Sequence, residues 1–342
     1  MADRKIWGRV DWRWVSFGVT CLVSLPIFKY MFDCMCAKFS DPREDMSHGW
    51  LIPVACLFFI WSKRDALRAA SSRPSWRGFF YVAVSLGIFW IGNNGEQYRI
   101  CQTAFSLLIW AVPYAIWGQG VARLMVFPAV FFLFTIPFAF LDFFTIKLRM
   151  FAAGIATGLL NGMGLSVTRV GTALHSTVGA GFSLDVADPC SGLRSLFAMM
   201  ALTTAYAYYS QKTLIGKWIL FLSAVPIAVI GNICRIASIC VVAWLFGQQA
   251  ATGFYHDYSG YVVFLVGVLL MMKTGSILSR YIVKDGRWSR WLFRPDTTLG
   301  CAPLNEVRRR TGPAVAVAVA FLVVWGLKCL MGPPIYEPAD FV

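Results

Sequence analysis

Three side chains with complementary chemistry, Cys190, Arg235 and His256, fall within residues 185–260. A cysteine thiolate is a strong nucleophile, and a nearby cation or a helix N-terminus stabilises it. A histidine can move protons between the nucleophile, the leaving amine and the incoming group. An arginine can stabilise a thiolate or an oxyanion. Together these residue types predict a cysteine peptidase or transpeptidase site.

Long apolar runs carry these side chains, and they predict three helices at about 191–209, 218–246 and 261–279. If these helices cross a membrane in alternation, Cys190 and His256 both lie where a helix begins at the outer face. Arg235 lies about 25 Å along its helix from Trp218, at about 1.5 Å per residue. The hairpin geometry therefore predicts that all three side chains can meet near one membrane face.

Four further residues are candidates to support the reaction or bind the substrate. Ser191 and Asn232 can donate hydrogen bonds to an oxyanion. Arg194 lies one helical turn after Cys190, where it can hold the thiolate or bind a carboxylate. His48 falls at the outer face before the second predicted span, where it can shape the same cleft.

Each candidate also has a structural alternative. A cysteine in a membrane protein usually serves packing, and buried polar groups often bond neighbouring helices. Arg194 can form a structural ion pair, and so can Arg235, with an aspartate as its partner. His256 lies among tyrosines that fit an interfacial aromatic belt. The candidate aspartates for Arg235 are Asp185, Asp188 and Asp257.

The composition predicts a membrane protein. Of the 342 residues 58% are hydrophobic and only 14% are charged, against about 25% charged in soluble domains. We expect an all-α polytopic integral membrane protein with about eight or nine transmembrane helices. The predicted cytoplasmic loops hold 20 of the 31 Lys and Arg residues, so the net charge of +14 indicates topology rather than nucleic-acid binding. The N-terminus is expected inside and the site at the outer face.

Two stretches break the regular pattern of spans. A fifth span is predicted over 124–144, bent by Pro128 and Pro137. Residues 145–187 are predicted not to cross the membrane but to form one interfacial or re-entrant helix, over 148–165, followed by short extended pieces. Turns of those pieces are expected at Gly171, Gly179 and Gly181. A glycine stripe on the helix is expected to let another helix approach closely; its members are Gly154, Gly158 and Gly162.

The domain organisation is predicted as a transmembrane catalytic domain, 1–280, followed by 281–342. That second part contains a basic cytoplasmic stretch and one more span, 313–331. The ten cysteines form no CxxC and no zinc-ligand spacing. No metal is therefore expected, and the sequence does not indicate an organic cofactor either.

An ordered set of motifs resembles the exosortase and archaeosortase family of polytopic membrane enzymes. Cys190-Ser191-Gly192-Leu193-Arg194-Ser195 is similar to the family's cysteine motif, Asn232-x-x-Arg235 follows in the next long span, and His256 opens the one after, with Gly260 and Phe264 behind it. Upstream, the segment from Ser47 to Pro53 and the pairs Phe127-Pro128 and Ile136-Pro137 also match. The resemblance covers about residues 40–275.

The resemblance implies a function for each of the three reactive residues. It implies that Cys190 is the nucleophile, His256 the general acid and base, and Arg235 the stabiliser of thiolate or oxyanion. The substrates would be membrane-anchored exported proteins with a PEP-CTERM-type tail, which is a Pro-Glu-Pro motif, a transmembrane helix and a basic cluster. The enzyme would cut near that motif and transfer the protein to a lipid or glycan of the cell envelope. Its place would be the bacterial cytoplasmic (inner) membrane, with the site at the periplasmic face.

The main alternative is a polytopic membrane transporter with no hydrolytic activity, and an assembly protein is a third reading. A transporter predicts polar groups at the bilayer midplane and two halves that resemble each other. The sequence contains no internal repeat, and its polar residues collect towards one face. A cysteine substitution separates the hypotheses, because a transporter does not need Cys190.

Overall fold

The computed structural model describes residues 12–41, 46–70, 73–136, 139–176, 181–185, 193–282, 317, 320 and 321. The structure is 85% helical, which confirms the prediction of an all-α protein apart from one small sheet. By its internal contacts the chain divides into two compact units. The first contains residues 1–137 and 296–342, and the second contains residues 138–295.

The first unit is built from seven helices between residues 12 and 132. A 3-10 turn, Ser47–Trp50, precedes the third helix, and another, Leu133–Thr135, follows the seventh. The helices are α1 (Trp12–Ile27), α2 (Lys29–Ser40), α3 (Leu51–Ser62), α4 (Arg64–Ala69), α5 (Trp76–Asn94), α6 (Tyr98–Trp117) and α7 (Gln119–Phe132). Helices α5 and α6 pack on each other, and α6 packs on α7.

The second unit combines five helices with a three-stranded antiparallel sheet of order β1-β2-β3. A single π-helical turn, Ala251–Tyr255, leads into its last helix. In chain order the elements are α8 (Ala139–Gly162), β1 (Val167–Val170), β2 (Ala173–Ser176), β3 (Phe182–Asp185), α9 (Leu193–Ser210), α10 (Leu214–Phe246), α11 (Gln248–Ala250) and α12 (His256–Ile282).

Three helices of the described chain are long and apolar enough to cross a membrane: Tyr98–Trp117, Leu214–Phe246 and Tyr258–Arg280. A fourth candidate is the pair α1 and α2, which meet at a bend of 64°. Pro26 lies inside α1 next to that bend, and proline is a common cause of such kinks. The structure therefore has the character of a polytopic membrane protein, while the count of eight or nine spans stays a prediction.

The fifth predicted span is wrong as a single helix. Helix α7 ends at Phe132, a 3-10 turn follows, and α8 begins at Ala139. Ile136 is extended, with φ −95° and ψ 119°. The residue before a proline is pushed out of the helical region by the proline ring, so Pro137 explains why the helix stops here. Pro128 lies within α7.

The extended pieces after α8 are confirmed as the three-stranded sheet. Val167 pairs with Ser176, and Ala173 pairs with Asp185. Gly171 and Gly181 have φ values of +63° and +64°, which only glycine adopts without strain, so both act as turn residues. The expectation for Gly179 lies outside the described residues.

Helix α8 is longer than predicted, and its glycine stripe does not receive another helix within the described chain. No described atom lies within 4 Å of a Cβ added at Gly154, Gly158 or Gly162. The packed face is the alanine face instead, with Ala152 and Ala156 buried against α10. Within the described chain α8 therefore packs through its alanine face and not through its glycine stripe. Whether α8 lies in the interface or re-enters the membrane stays a prediction.

Helices α9, α10 and α12 pack pairwise into a three-helix bundle. Its apolar core contains Met199 of α9, Leu220 of α10 and Met271 of α12. Gln211, which directly follows α9, forms a hydrogen bond to α12: its Nε2 donates to the carbonyl of Gly275 at 2.9 Å. Polar bonds of this kind hold helices together where lipid gives no hydrophobic driving force.

Glycines allow α10 and α12 to approach closely. A Cβ added at Gly231 would lie 2.9 Å from Val263, and one added at Gly267 would lie 3.6 Å from Ile227. These pairs run in opposite directions along the two helices, so α10 and α12 are antiparallel. The close approach matters for function, since it brings the part of α10 around Gly231 and Arg235 against the first turns of α12.

Candidate active site

The guanidinium of Arg235 is the centre of the site. It lies on α10, and its side chain bonds to two residues in the first turn of α12. Nε donates to Oγ of Ser259 at 3.3 Å, and Nη2 donates to the backbone carbonyl of His256 at 3.1 Å. Nη2 also lies 3.2 Å from Nε2 of the His256 ring. The structure thus brings Arg235 and His256 together at one end of the α10–α12 pair.

The contact between Arg235 and His256 places the imidazole ring next to a cation. Guanidinium nitrogens donate hydrogen bonds and never accept them, so Nη2 can bond to Nε2 only where that ring nitrogen carries no proton.

The backbone that leads into His256 is irregular. Gly247 has a φ of +86°, and Gly253, in the π-helical turn, has ψ −121°, outside helical geometry. Single π-helical turns are often found at functional sites. The π-helical turn ends at Tyr255, so His256 is the first residue of α12. There the carbonyl of His256 accepts hydrogen bonds from both Arg235 and Ser259.

One edge of the guanidinium has no partner within the part of the chain that the structure describes. Arginine has five N–H donors, and three of them bond to Ser259 and His256. Among the described residues, none accepts from Nη1, and no carboxylate pairs with Arg235. The side chains of Asp185, Asp188 and Asp257 lie outside the description, so a structural ion pair with one of them stays a hypothesis. The Nη1 edge is the part of Arg235 that can bind a transient anion.

Asn232 lies one helical turn before Arg235 on α10 and is 9% exposed. Its amide makes no hydrogen bond with any described residue. A side-chain amide near a cation is a candidate group for binding an oxyanion. Residues three apart share a helix face, which places Asn232 and Arg235 on the same side of α10.

Cys190 and Ser191 lie outside the described residues, and so does the side chain of Arg194, which belongs to the first turn of α9. The elements on either side of Cys190 are described. Strand β3 ends at Asp185 and α9 begins at Leu193. The meeting of all three reactive residues therefore stays a prediction, and so do the supporting roles of Ser191 and Arg194.

A polar bond connects the strand that precedes Cys190 with the loop that precedes His256. The backbone N–H of Ser183 in β3 donates to Oε1 of Gln248 in α11 at 3.2 Å. Strand β3 also packs on α10. The chain therefore enters the Cys190 segment from an element that is attached to the helices bearing Arg235 and His256.

His48 lies in the 3-10 turn Ser47–Trp50 of the first unit, and its proposed part in the cleft stays a prediction. Its neighbour Gly49 has a clear packing role. A Cβ added at Gly49 would overlap the ring of Phe39, so the Ser-His-Gly segment needs glycine to lie against α2.

Ser259 also belongs to the site, although no motif in the sequence singled it out. This residue is 7% exposed, and it both accepts from Arg235 and donates to the His256 carbonyl at 3.0 Å. A signal was present, because a serine three residues after His256 shares its helix face. Gly260 was noted without a role. A Cβ there would lie 3.2 Å from Nη2 of Arg235, so glycine leaves room for the guanidinium.

The helices and this site define a polytopic membrane protein with a polar centre between two antiparallel helices. A family model described as transmembrane exosortase matches residues 40–273, which is more than half of the chain. The chain belongs to the transmembrane exosortase family, and this family consists of transpeptidase-type membrane enzymes that process sorting signals. No curated protein and no solved structure gives a significant match.

Proposed function

We propose that the protein is a membrane cysteine transpeptidase that cleaves the PEP-CTERM-type tail of exported proteins. Cys190 is the nucleophile, His256 the general acid and base, and Arg235 the stabiliser of the thiolate or oxyanion. The observation that carries the proposal is the direct contact between Nη2 of Arg235 and Nε2 of His256. It joins a cation and a proton carrier at the end of α12 where the cysteine motif is also expected.

The reaction begins when the Cys190 proton passes to His256 and the thiolate attacks the scissile carbonyl carbon. A C–S bond forms, and the carbonyl oxygen becomes an oxyanion that accepts from Arg235 Nη1 and the Asn232 amide. The intermediate collapses, the C–N bond breaks, and His256 returns its proton to the leaving amine. The product of this half-reaction is a thioester on Cys190.

The second half-reaction releases the thioester. A nucleophile of the acceptor gives its proton to His256 and attacks the thioester carbon, which expels the Cys190 thiolate. A lipid or glycan of the cell envelope would act as the acceptor, and water would give simple hydrolysis. No electrons are exchanged, so the scheme needs no redox cofactor.

The proposed location is the bacterial cytoplasmic (inner) membrane, with the site at the periplasmic face. The support is the distribution of Lys and Arg, which concentrate in the loops predicted to be cytoplasmic. Arg235 lies in the C-terminal half of α10, whereas Lys217 is in its first turn, and His256 begins α12, whereas Arg280 is in its last turn. The substrate's own transmembrane helix would hold its cleavage motif at the same face.

The decisive test is co-expression with a reporter that ends in a Pro-Glu-Pro motif, a transmembrane helix and a basic cluster. We expect cleavage by the wild type and none by Cys190→Ala. Cys234→Ala is the matched control, because Cys234 is an exposed thiol next to Arg235 in sequence. The intact mass of the reporter distinguishes transfer from hydrolysis. Cleavage that persists in Cys190→Ala would overturn the assignment of the nucleophile.

A further inference from the structure

The hydrogen bonds of Arg235 restrict its guanidinium in different ways. Both bonds to His256 come from the same nitrogen, Nη2. Because the arginine side chain is flexible, a guanidinium that is hydrogen-bonded only through Nη2 can still turn about that atom. The bond from Nε to Ser259 Oγ is made at a second point of the plane, so it determines the direction in which the remaining edge, Nη1, faces.

The hydroxyl of Ser259 is well suited to this task because its own hydrogen is already committed. It donates to the His256 carbonyl at 3.0 Å, which turns an oxygen lone pair towards α10. Most helical serines of the described chain only bond a carbonyl of their own helix, as Ser276 does with Met272 at 2.9 Å. Ser259 makes that bond and also reaches Arg235 on the neighbouring helix.

We propose that Ser259 is a positioning residue of the active site, which stops the Arg235 guanidinium from pivoting about Nη2 and so aims Nη1 at the reacting group. The proposal rests on the proposed function for its catalytic consequence. Removing the hydroxyl keeps the charge of Arg235, but it frees the direction of the guanidinium and so alters its contact with the His256 ring. Catalysis depends on such orientation, and a misplacement of about 1 Å can cost about a hundredfold in rate.

The test compares Ser259→Ala, Ser259→Thr and the control Ser276→Ala in the full chain, purified in lipid nanodiscs with the reporter. For Ser259→Ala we expect kcat to fall about tenfold to a hundredfold with KM within about a factor of two. A residue that aims a transition-state donor affects kcat rather than ground-state binding. Ser259→Thr keeps a hydroxyl and should recover most of the rate, while Ser276→Ala should match the wild type.

A spectroscopic readout separates this proposal from the proposed function. The chain has only three histidines, so ¹⁵N-histidine labelling gives few ring signals, and His256→Gln identifies those of His256. We expect Ser259→Ala to shift the Nε2 signal of His256, because the pivoting guanidinium changes that contact, and Ser276→Ala to leave it unchanged. A wild type that cleaves nothing contradicts the proposed function alone. Unchanged Nε2 signals in Ser259→Ala, or a kcat equal to that of the control, would overturn the role of Ser259.

Discussion

Nη2 of Arg235 lies 3.2 Å from Nε2 of His256, across two antiparallel helices. The contact holds a cation next to the ring that carries protons in the proposed mechanism. Proton transfer by His256 and oxyanion stabilisation by Arg235 would therefore take place side by side, at one end of the α10–α12 pair.

Replacing His256 by glutamine should separate its structural role from its chemical one. In His256→Gln an amide oxygen can still accept from Arg235, whereas His256→Ala leaves the partly buried guanidinium without that side-chain acceptor. We expect both variants to lose reporter cleavage. Only His256→Ala should lose stability, by about 1–3 kcal/mol, the usual cost of an unsatisfied donor. Thermal unfolding in nanodiscs measures the difference. Cleavage by His256→Gln at the wild-type rate would contradict the acid-base role.

Arg235→Lys keeps the charge but should not keep the activity. An ammonium is a single point donor, and it cannot reach Ser259 Oγ, the His256 ring and a third group in the fixed geometry of a guanidinium. We expect cleavage to fall by at least about a hundredfold, as in Arg235→Ala, at normal abundance.

Arg169→Lys is the control for Arg235→Lys, because Arg169 is a surface residue that bonds only the backbone carbonyls of Met150 and Gly171. It should leave cleavage unchanged. If Arg235→Lys were as active as this control, charge alone would suffice, and the argument from the three hydrogen bonds would be wrong.

Asn232→Leu should lower the rate without lowering stability. Asn232 is a mostly buried residue whose amide makes no hydrogen bond within the described chain, so its removal breaks no hydrogen bond there, and leucine suits an apolar helix. If the amide donates to the oxyanion, kcat should fall by about a hundredfold to a thousandfold. Single-turnover cleavage and a melting curve on the same sample provide the check. A less stable variant with normal turnover would assign Asn232 to structure.

Gly260→Ala should disturb the site by steric contact. The added methyl group would lie 3.2 Å from Nη2 and 3.3 Å from Cζ of Arg235, so the guanidinium must move. We expect a loss of cleavage of about tenfold or more. Gly154→Ala is the matched control in the interior of α8, where a Cβ meets nothing within 4 Å of the described chain. That control should keep full activity and gain stability of up to about 1 kcal/mol from helix propensity.

The sequence contains enough information to predict the helices that carry the site. Apolar runs of membrane length mark α9, α10 and α12, and glycines mark the turns of the sheet between α8 and α9. The position of Arg235 along α10 also predicts that it lies towards the same end of the helix pair as His256, which opens α12. Two of the three reactive side chains could therefore be placed near each other before any coordinates were known.

What the sequence does not contain is the rotation of each helix about its axis. Helices that are apolar on nearly all sides have little periodicity to indicate which face packs inward. For this reason the sequence does not indicate the contact between Arg235 and Ser259. For the same reason it points to the glycines of α8 as the site of close helix packing, whereas the glycines that allow close packing in the bundle are Gly267 and Gly275 of α12. The break at Ile136 was missed for a different reason, since a proline in an apolar run can either bend a membrane helix or end it.

The order of elements along the chain also affects biosynthesis. Arg235 leaves the ribosome before His256 and Ser259, and at about 5–20 residues per second the interval lasts about 1 to 4 s. During that time α10 carries a charge that is costly in a lipid environment, and the groups that bind it in the finished protein have not yet been made. We expect the insertion machinery to retain α10 until α12 arrives. A chain truncated before residue 256 should therefore be recognised as incomplete by membrane quality control and degraded.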